Sequence, residues 1–420
     1  MHVVVIGAGI IGVTTAFELR SRGFEVTVLD RRPGVAQEAS YANAGVISTA
    51  YAGPWAQPGM PTKIIGYMLR SASPVIYRPS LDPAQWRWLL RWLGECRLQR
   101  FRVNKLRMQR LAEYSRAVLH ELRSRYAIDY EQAQGWLQLF RTDADLARAR
   151  PSIELLAQAG APHRVLDADQ CRKLEPALVE GTPLAGGLHL LEEETGNCAY
   201  FARRIKDLAA AQGVEFRFNA TVSRLIIEGG RFREARTAGG SIAADALVVA
   251  AGADSGRLLR RTGIRVPLYP VKGYALTAGI TRHELAPMMS MMDEAYKVAI
   301  TRMGNRLRIA GTAELGNRRL ALREAALGTL LRVARDWFPG AAAYAQAQPW
   351  VGARPMLPDG PPVLGPSRVS NLFLNLGHGS TGWSMACGSA RVVADIVAGS
   401  QPQIDLEGLT LDRFGRARKA

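Results

Sequence analysis

Cysteine is scarce in this sequence: Cys96, Cys171, Cys198 and Cys387 are the four in 420 residues, and no two form a Cys-x-x-Cys pair. That excludes a zinc cluster and a dense disulfide framework, and it fits a reducing compartment. Long apolar runs are missing too; none approaches the ~18 uninterrupted apolar residues of a membrane span. The chain has no block of about five or six like charges, which argues against a nucleic-acid-binding tail. It has no internal repeat and no low-complexity segment. With 48% hydrophobic and 22% charged residues, it is neither disordered nor collagen-like. Its length suits two to three domains at ~150 residues each.

Lysine is also rare. Of 54 Lys and Arg residues only seven are lysine, and against 37 acidic residues the net charge is +17. Much of this reads as compositional drift toward arginine. A positive surface still favours anionic partners, whether nucleic acid, acidic lipid headgroups or a charged subunit. This keeps open one non-enzymatic reading, a basic protein that holds a nucleotide structurally and docks on nucleic acid or membrane.

The amino terminus is apolar but lacks a basic n-region and a cleavage site, so it reads as mature chain. His2 to Ile6 is a β-branched run, expected as a buried strand, with Val5 and Ile6 leading into Gly7-Ala8-Gly9-Ile10-Ile11-Gly12. Val13 to Arg22 has helical spacing and ends at Gly23. Glu25 to Leu29 is a second strand, ending in Asp30 and Arg31. Gly7 permits a tight turn, Gly9 lets a pyrophosphate approach the backbone, and Gly12 lets the helix sit against the strand. The helix N-terminus presents unpaired N–H groups to phosphate. Asp30 is placed to accept hydrogen bonds from ribose hydroxyls and would repel a 2′-phosphate. The glycine pattern alone is weak, but with strand, helix and acid in register it points to a dinucleotide.

The remaining pattern reads as α/β. Pro83 to about Tyr126 is helical, Gly135 to Arg141 a strand and Asp143 to Gly160 a helix. Tyr200 to Gly213 is an amphipathic helix followed by a strand at Val214 to Phe218. Ala220 to Glu228 and Arg231 to Thr237 flank a Gly229-Gly230 turn. Strands dominate from Val266 to Ala313, Leu320 to Trp337 is a helix, and a strand at Phe373 to Leu376 precedes a closing helix at Ser384 to Ala398. The expected fold is a Rossmann-like cofactor domain of discontinuous segments (1–54, 150–262 and 350–420). An α+β substrate domain (55–149 and 263–349) would be inserted between them.

Four further segments carry a resemblance. They are Ser40-Tyr41-Ala42-Asn43-Ala44-Gly45; Leu247 to Ser255 (LVVAAGADS); Gly352 to Gly360 (GARPMLPDG) with Pro362-Val363-Leu364-Gly365; and Gly377-His378-Gly379-Ser380-Thr381-Gly382-Trp383. In order and spacing they resemble the FAD-dependent D-amino-acid oxidase superfamily over nearly the whole chain. Pro79 to Pro83, Pro270 to Tyr274 and Gly377 to Ala390 bring it closest to the bacterial dehydrogenase branch. The resemblance implies that Val5 to Gly12 hold the FAD pyrophosphate and Asp30, with Arg31 beside it, the ribose. It places Ser40, Asn43, Ala44 and Gly45 at the pyrophosphate and flavin edge, Val222 at the adenine and Gly252 close to the cofactor. Gly377, Gly379, Ser380, Thr381 and Gly382 would face the flavin pyrimidine. A helix N-terminus there would stabilise negative charge on the reduced ring. No cysteine stands beside Gly352 to Pro355, where sarcosine oxidases bond their flavin, so FAD should be non-covalent.

The implied activity is oxidative deamination of D-amino acids such as D-alanine to 2-oxo acids and ammonia, by hydride transfer from Cα to flavin N5. Electrons would pass to a respiratory acceptor such as a quinone. The alternative is an oxidase or dehydrogenase of secondary amines: glycine, sarcosine or hydroxyproline. A guanidinium is the natural clamp for a carboxylate, and the resemblance assigns that role to Arg354. Tyr274 and Tyr296 are candidates to cap the substrate, against a reading as half-buried sheet tyrosines. His378 could touch flavin or tune the amine, or be a histidine satisfied by backbone. Lys272 could lie near the flavin, but reads first as a solvated strand-end lysine. No metal ligand set and no certain general base is identified. The Trp86-Arg87-Trp88-Leu89-Leu90-Arg91-Trp92-Leu93 run reads first as a core helix and second as a helix in a membrane interface. The corresponding location is cytoplasmic, or peripheral on the inner face of the bacterial cell membrane.

Overall fold

The computed structural model describes residues 1–68, 72–158 and 160–415. Residues 416–420 and 159 of the expected cofactor segments, and 69–71 of the expected substrate segment, lie outside them.

The run His2–Ile6 forms the expected strand, and Val3, Val4 and Val5 are wholly buried. A strand apolar on both faces needs neighbours and cover on both sides. It pairs in parallel with Glu25–Leu29 on one side and Ala246–Val249 on the other. Glu215–Arg217, Leu372–Leu376 and an antiparallel edge strand, Val363–Pro366, complete six strands. Helices Ile10–Ser21, Gly382–Val397, Leu98–Tyr126 and Cys198–Ala211 cover one face. A small antiparallel sheet (Arg224–Glu228, Arg231–Thr237, Gly240–Ala243) covers the other, burying Leu225, Phe232 and Ala235 against Val4, Ile6, Leu247 and Val249.

The second sheet has ten strands. Its central run places Gln348–Met356, Tyr269–Gly279, Arg306–Leu315, Val298–Met303 and Ser290–Asp293 side by side, with Glu324–Trp337 packed on one face. It continues through Ala133–Phe140 and Gly186–Thr195 to the edge strand Val46–Ile47. The strands at 186–195 and 348–356 thus pair within the large sheet, so sheet membership does not follow the expected divisions at residues 150 and 350.

The Trp-Leu-Arg run is split between two faces of helix Pro83–Glu95. Asp82 caps this helix by accepting the Ala84 N–H at 2.9 Å. Trp88 and Trp92 stack inward at 6.4 Å, and Trp88 Nε1 donates to the Met356 carbonyl at 3.0 Å. Trp86, Leu90 and Leu93 are exposed. Helix Met60–Met68 has no buried residue. No helix among the described residues is long and apolar enough to cross a membrane.

Candidate active site

A single cavity of about 1490 Å³ runs between the two sheets, from Asp30 to Arg354. That exceeds the ~300–1,000 Å³ of an ordinary small-ligand site. It has room for a dinucleotide and a substrate.

The dinucleotide end begins at Gly7. Its φ is +109°, and a Cβ there would sit 2.4 Å from the Ala250 carbonyl oxygen. Gly12 packs so closely that a Cβ would stand 1.8 Å from the Gly7 oxygen. The turn and the first helix are therefore locked to strand 246–249 by glycine alone. Gly9 caps the helix with no side chain of its own; the Ile10 N–H is taken by Ser40, and the next N–H groups of the first turn are left for an anion. Asp30 accepts the Ala8 N–H at 2.5 Å and the Arg32 N–H at 2.7 Å. Burial pushes its carboxyl above the usual range, against the pull of those donors and of Arg31. Each oxygen keeps acceptor capacity toward the cavity. Arg31 is held between Asp254 at 2.7 Å and Glu38 at 2.8 Å, and Val222 and Gly252 line the same end. This cradle suits a pyrophosphate and a ribose.

Midway, Ser40 to Gly45 form a pinned loop. Ser40 Oγ accepts the Ile10 N–H at 3.0 Å, and Asn43 Oδ1 accepts the Gly45 N–H at 3.1 Å. Arg308 is deeply buried and reaches this loop, donating to the Asn43 carbonyl at 3.1 Å and to Thr277 Oγ1 at 2.8 Å. Burial lowers its pKa to about 10. Thr301 Oγ1 donates to the Ala44 carbonyl at 2.8 Å. The large sheet thereby fixes a loop that the first helix of the six-stranded sheet also grips.

At the far end, the turn Gly377 to Gly382 meets the Arg354 strand. Gly377 and Gly379 have φ of +83° and +58°, and Gly379 N–H donates to the Pro355 carbonyl at 3.1 Å. The helix from Gly382 starts here, and Thr381 makes no side-chain cap. Its free N–H groups open toward the cavity.

Arg354 lies beside this turn. Its guanidinium is pressed against the backbone of Gly273, where a Cβ would fall 2.5 Å from Cζ and both terminal nitrogens. Trp55 covers it at 5.6 Å, and Trp55 Nε1 donates to Ser380 Oγ at 3.0 Å. Nη1 donates to the Lys272 carbonyl at 3.0 Å and reaches the Thr312 carbonyl at 3.5 Å. No carboxylate among the described residues pairs with it, and burial lowers its pKa to about 10. It remains protonated at neutral pH, a cation in a cavity wall with its charge uncompensated. A bound carboxylate is the natural complement.

The other expected residues divide. Gly7, Gly9, Ile6, Ile10, Ile11, Asp30, Arg31, the 40–45 loop, Val222, Gly252 and the 377–382 turn line the cavity or its loops. Val5, Ala8 and Gly12 do not reach it: Val5 is sheet core, Ala8 acts through Asp30, and Gly12 packs helix on strand. Tyr274 lines the cavity, but its hydroxyl donates to Glu314, whose contact raises its pKa together with burial. Tyr296 is absent from the cavity wall, and its ring lies under Arg141 at 4.8 Å. His378 is buried, with Nε2 3.1 Å from Ser389 Oγ in the following helix, and burial lowers its pKa to about 3. Its ring is neutral and engaged with Ser389, while the residue lines the cavity. Lys272 is not solvated: it is 1% exposed and paired with Glu314 at 2.7 Å. None of the four cysteines lines the cavity. No cluster of metal-ligating side chains occurs among the described residues. Sequence reasoning missed Gly273, Trp55, Thr312 and Arg308, which come from strands and loops distant from every glycine motif.

A family model described as FAD dependent oxidoreductase matches residues 2–396. A Rhodopseudomonas palustris protein named D-amino acid dehydrogenase is 47% identical over 416 residues, covering 99% of this chain and 98% of its own. A Sinorhizobium medicae protein of the same name is 47% identical over 417 residues, with 99% and 100% covered. Among solved structures, glycine oxidase from Geobacillus kaustophilus superposes with a TM-score of 0.76 at 24% identity, covering 98% of each chain. L-proline dehydrogenase from P. horikoshii gives 0.75 at 18% identity, covering 98% of this chain and 97% of its own. These two bear on the fold.

Proposed function

The chain belongs to the FAD dependent oxidoreductase family, and from that footing we propose that it is an FAD-dependent D-amino-acid dehydrogenase. It oxidises small neutral D-amino acids such as D-alanine to imino acids, which water converts to 2-oxo acids and ammonia. The observation that carries the reading is the uncompensated Arg354 guanidinium at the end of a dinucleotide cavity, in a chain so similar to proteins of that name.

When bound, FAD supplies the two-electron oxidation of the Cα–N bond. The chain's own residues bind and orient. Gly7 and Gly9 would admit the pyrophosphate, Asp30 would take the ribose hydroxyls, and the N–H groups at the start of the helix from Gly382 would stabilise negative charge on the reduced ring. Arg354 holds the substrate carboxylate, with Trp55 shielding the pair from water. No side chain need remove the amine proton. His378, with its pKa near 3, is too weak a base, so the amine reacts once neutral and water carries the proton away.

Electrons then leave for a respiratory carrier such as a quinone, at the inner face of the bacterial cell membrane. The support is the exposed apolar side chains Ile65 and Met68 on helix Met60–Met68, which carries Lys63, and Trp86 and Leu90 on helix Pro83–Glu95, which carries Arg87 and Arg91, a pattern suited to an anionic lipid surface. The test of the reaction is anaerobic: the yellow protein should bleach with D-alanine and release pyruvate. Bleaching by sarcosine or proline with D-amino acids inert would replace the substrate assignment.

A further inference from the structure

The cavity has a second arm, between the large sheet and helix Asp143–Gln158, that the amino acid does not need. Trp136, Phe140, Leu188 and Leu190 wall it from the sheet, and Ile153 and Leu156 from the helix. One row of cross-strand neighbours joins the substrate end to this arm: Trp350, Ala275, Ala310, Ala299, Met292 and Gln138. They stand on one face of six adjacent strands. In the middle of the row, Ala42 packs on Ala275 and Ala310, so the 40–45 loop divides the two ends. At ~4.8 Å per strand, Gln138 lies about 24 Å along the sheet from the strand of Arg354. An amino acid clamped at Arg354 does not span that distance.

Gln138 is what points to a ligand. It is 7% exposed, lines the cavity, and its side chain makes no hydrogen bond among the described residues. The neighbouring Trp136 Nε1 is sealed, but the Gln138 amide keeps its small exposed surface toward the arm. An amide this buried normally has a partner. The charged cavity residues on this side are already paired, Arg148 with Asp145 and Lys297 with Glu294. An apolar, aromatic slot with one neutral donor disfavours a zwitterion and suits a flat, uncharged molecule that carries a carbonyl oxygen. The inner end of the arm is Ala44 and Val46, in and just after the loop assigned to the flavin edge. Its outer end is Tyr51 and Lys297, near Tyr67 of the apolar helix Met60–Met68.

Resting on the reading that electrons pass to a quinone, we propose that this arm is the quinone site and that the Gln138 amide donates a hydrogen bond to one quinone carbonyl. Amino acid and acceptor then occupy opposite ends of one cavity, on either side of the 40–45 loop. The quinone takes two electrons from the reduced flavin and two protons from water, and its two carbonyl oxygens become hydroxyls. The flavin returns to its oxidised form and releases its own proton to solvent. Gln138 stays neutral throughout and orients the quinone ring.

The test uses the full-length, FAD-loaded protein and a benzoquinone with a short alkyl chain. Binding is read as quenching of tryptophan fluorescence, with Trp136 in the wall of the arm as reporter. Electron transfer is read as anaerobic reoxidation of flavin that has been reduced with light, with no amino acid present. Gln138→Leu keeps the size and removes the donor, so quinone affinity should fall about tenfold. Its melting temperature should not drop, because an unpaired buried amide is lost with the donor. Ala149→Trp fills the arm from the helix side and should weaken quinone binding and slow reoxidation by at least about tenfold. Bleaching by D-alanine, which does not use the arm, should need the parent's concentration in both variants. Parent-like quinone affinity in Gln138→Leu, or parent-like reoxidation in Ala149→Trp, overturns the proposal and leaves the quinone reading standing. An Ala149→Trp protein whose loss is in D-alanine bleaching also overturns it, since the arm would then be the amino acid's path. A parent flavin that the quinone does not reoxidise removes the quinone reading and the site together. If reoxidation depends on Gln138 while D-alanine leaves the flavin oxidised, the substrate reading fails and the acceptor site stands.

Discussion

Gly273→Ala isolates the Arg354 clamp without touching Arg354. Gly273 sits mid-strand, paired on both sides with Arg306–Leu315 and Gln348–Met356, in ordinary extended conformation. Alanine is therefore acceptable to the backbone. The added methyl, however, would lie 2.5 Å from Cζ, Nη1 and Nη2 of Arg354. Carbon and nitrogen atoms in contact need about 3.5–4 Å, so the guanidinium must retreat by ~1 Å. It is the far end of a flexible side chain, so the fold yields at little cost. Removing a glycine also stiffens the unfolded chain, worth ~0.4–1 kcal/mol of stability. The carboxylate site does not yield so easily. Charge-assisted hydrogen bonds contribute ~1.5–3 kcal/mol and depend steeply on placement, so affinity should fall about 10- to 100-fold. The assay is an anaerobic titration of flavin bleaching by D-alanine, beside a thermal melt and a flavin content measurement. The expected result is a right-shifted titration at unchanged flavin content and an equal or higher melting temperature. Parent-like affinity in a folded Gly273→Ala protein would refute the packing argument.

Two more outcomes follow from buried charge. Burial alone would push Glu314 up, but its pair with Lys272 and its bonds with Tyr274 and Arg323 outweigh that and hold it below the usual carboxylate range. It therefore contributes stability that is present above the ordinary glutamate pKa and lost as pH falls through the lowered one. Lys272→Met should destabilise the protein by about 3 kcal/mol at neutral pH, with the deficit shrinking on acidification, as followed by denaturant unfolding. A deficit that is constant from pH 7 to pH 4 would contradict this. His378 is neutral across the working range, its pKa near 3 through burial. His378→Asn should therefore leave the shape of the kcat/KM pH profile between about pH 5 and 9 unchanged, while the melting temperature drops with the loss of the Ser389 contact. A pH profile that shifts with this substitution would give the imidazole a role in proton transfer.

The parts that could be read from sequence were those whose physics is local. Gly7, Gly9, Gly12 and Asp30 lie within one strand–helix–strand unit, so their spacing alone carries their geometry, and the cradle follows it closely. Four strands of the six-stranded sheet, at His2–Ile6, Glu25–Leu29, Glu215–Arg217 and Leu372–Leu376, and most helices were similarly legible from apolar runs and glycine stops, whereas Ala246–Val249 and Val363–Pro366 were not read as strands. What was lost is long-range. Lys272 looks like a solvated lysine until Glu314, on the neighbouring strand, is placed 2.7 Å away. Tyr296 and Tyr274 are indistinguishable as sheet tyrosines, and only the strand order puts Arg141 over the first and the cavity beside the second. A β-bulge at Thr312, where Gly273 pairs with Ala313 and Tyr274 with Gly311, depends on register between strands, which no single segment encodes. Strand 186–195, inside the expected cofactor segment 150–262, pairs instead with Ala133–Phe140 in the large sheet.

The central claim is that Arg354 holds the carboxylate of an amino acid for oxidation by bound FAD, and the reductive half-reaction of Arg354→Ala tests it most directly. The arginine makes no ion pair among the described residues, so its removal should leave the fold and the yellow colour intact. The D-alanine concentration needed for half-maximal bleaching should rise by ~100-fold or more, as for loss of a bidentate charge-assisted contact. A yellow Arg354→Ala protein that bleaches at the same D-alanine concentration as the parent would contradict the account.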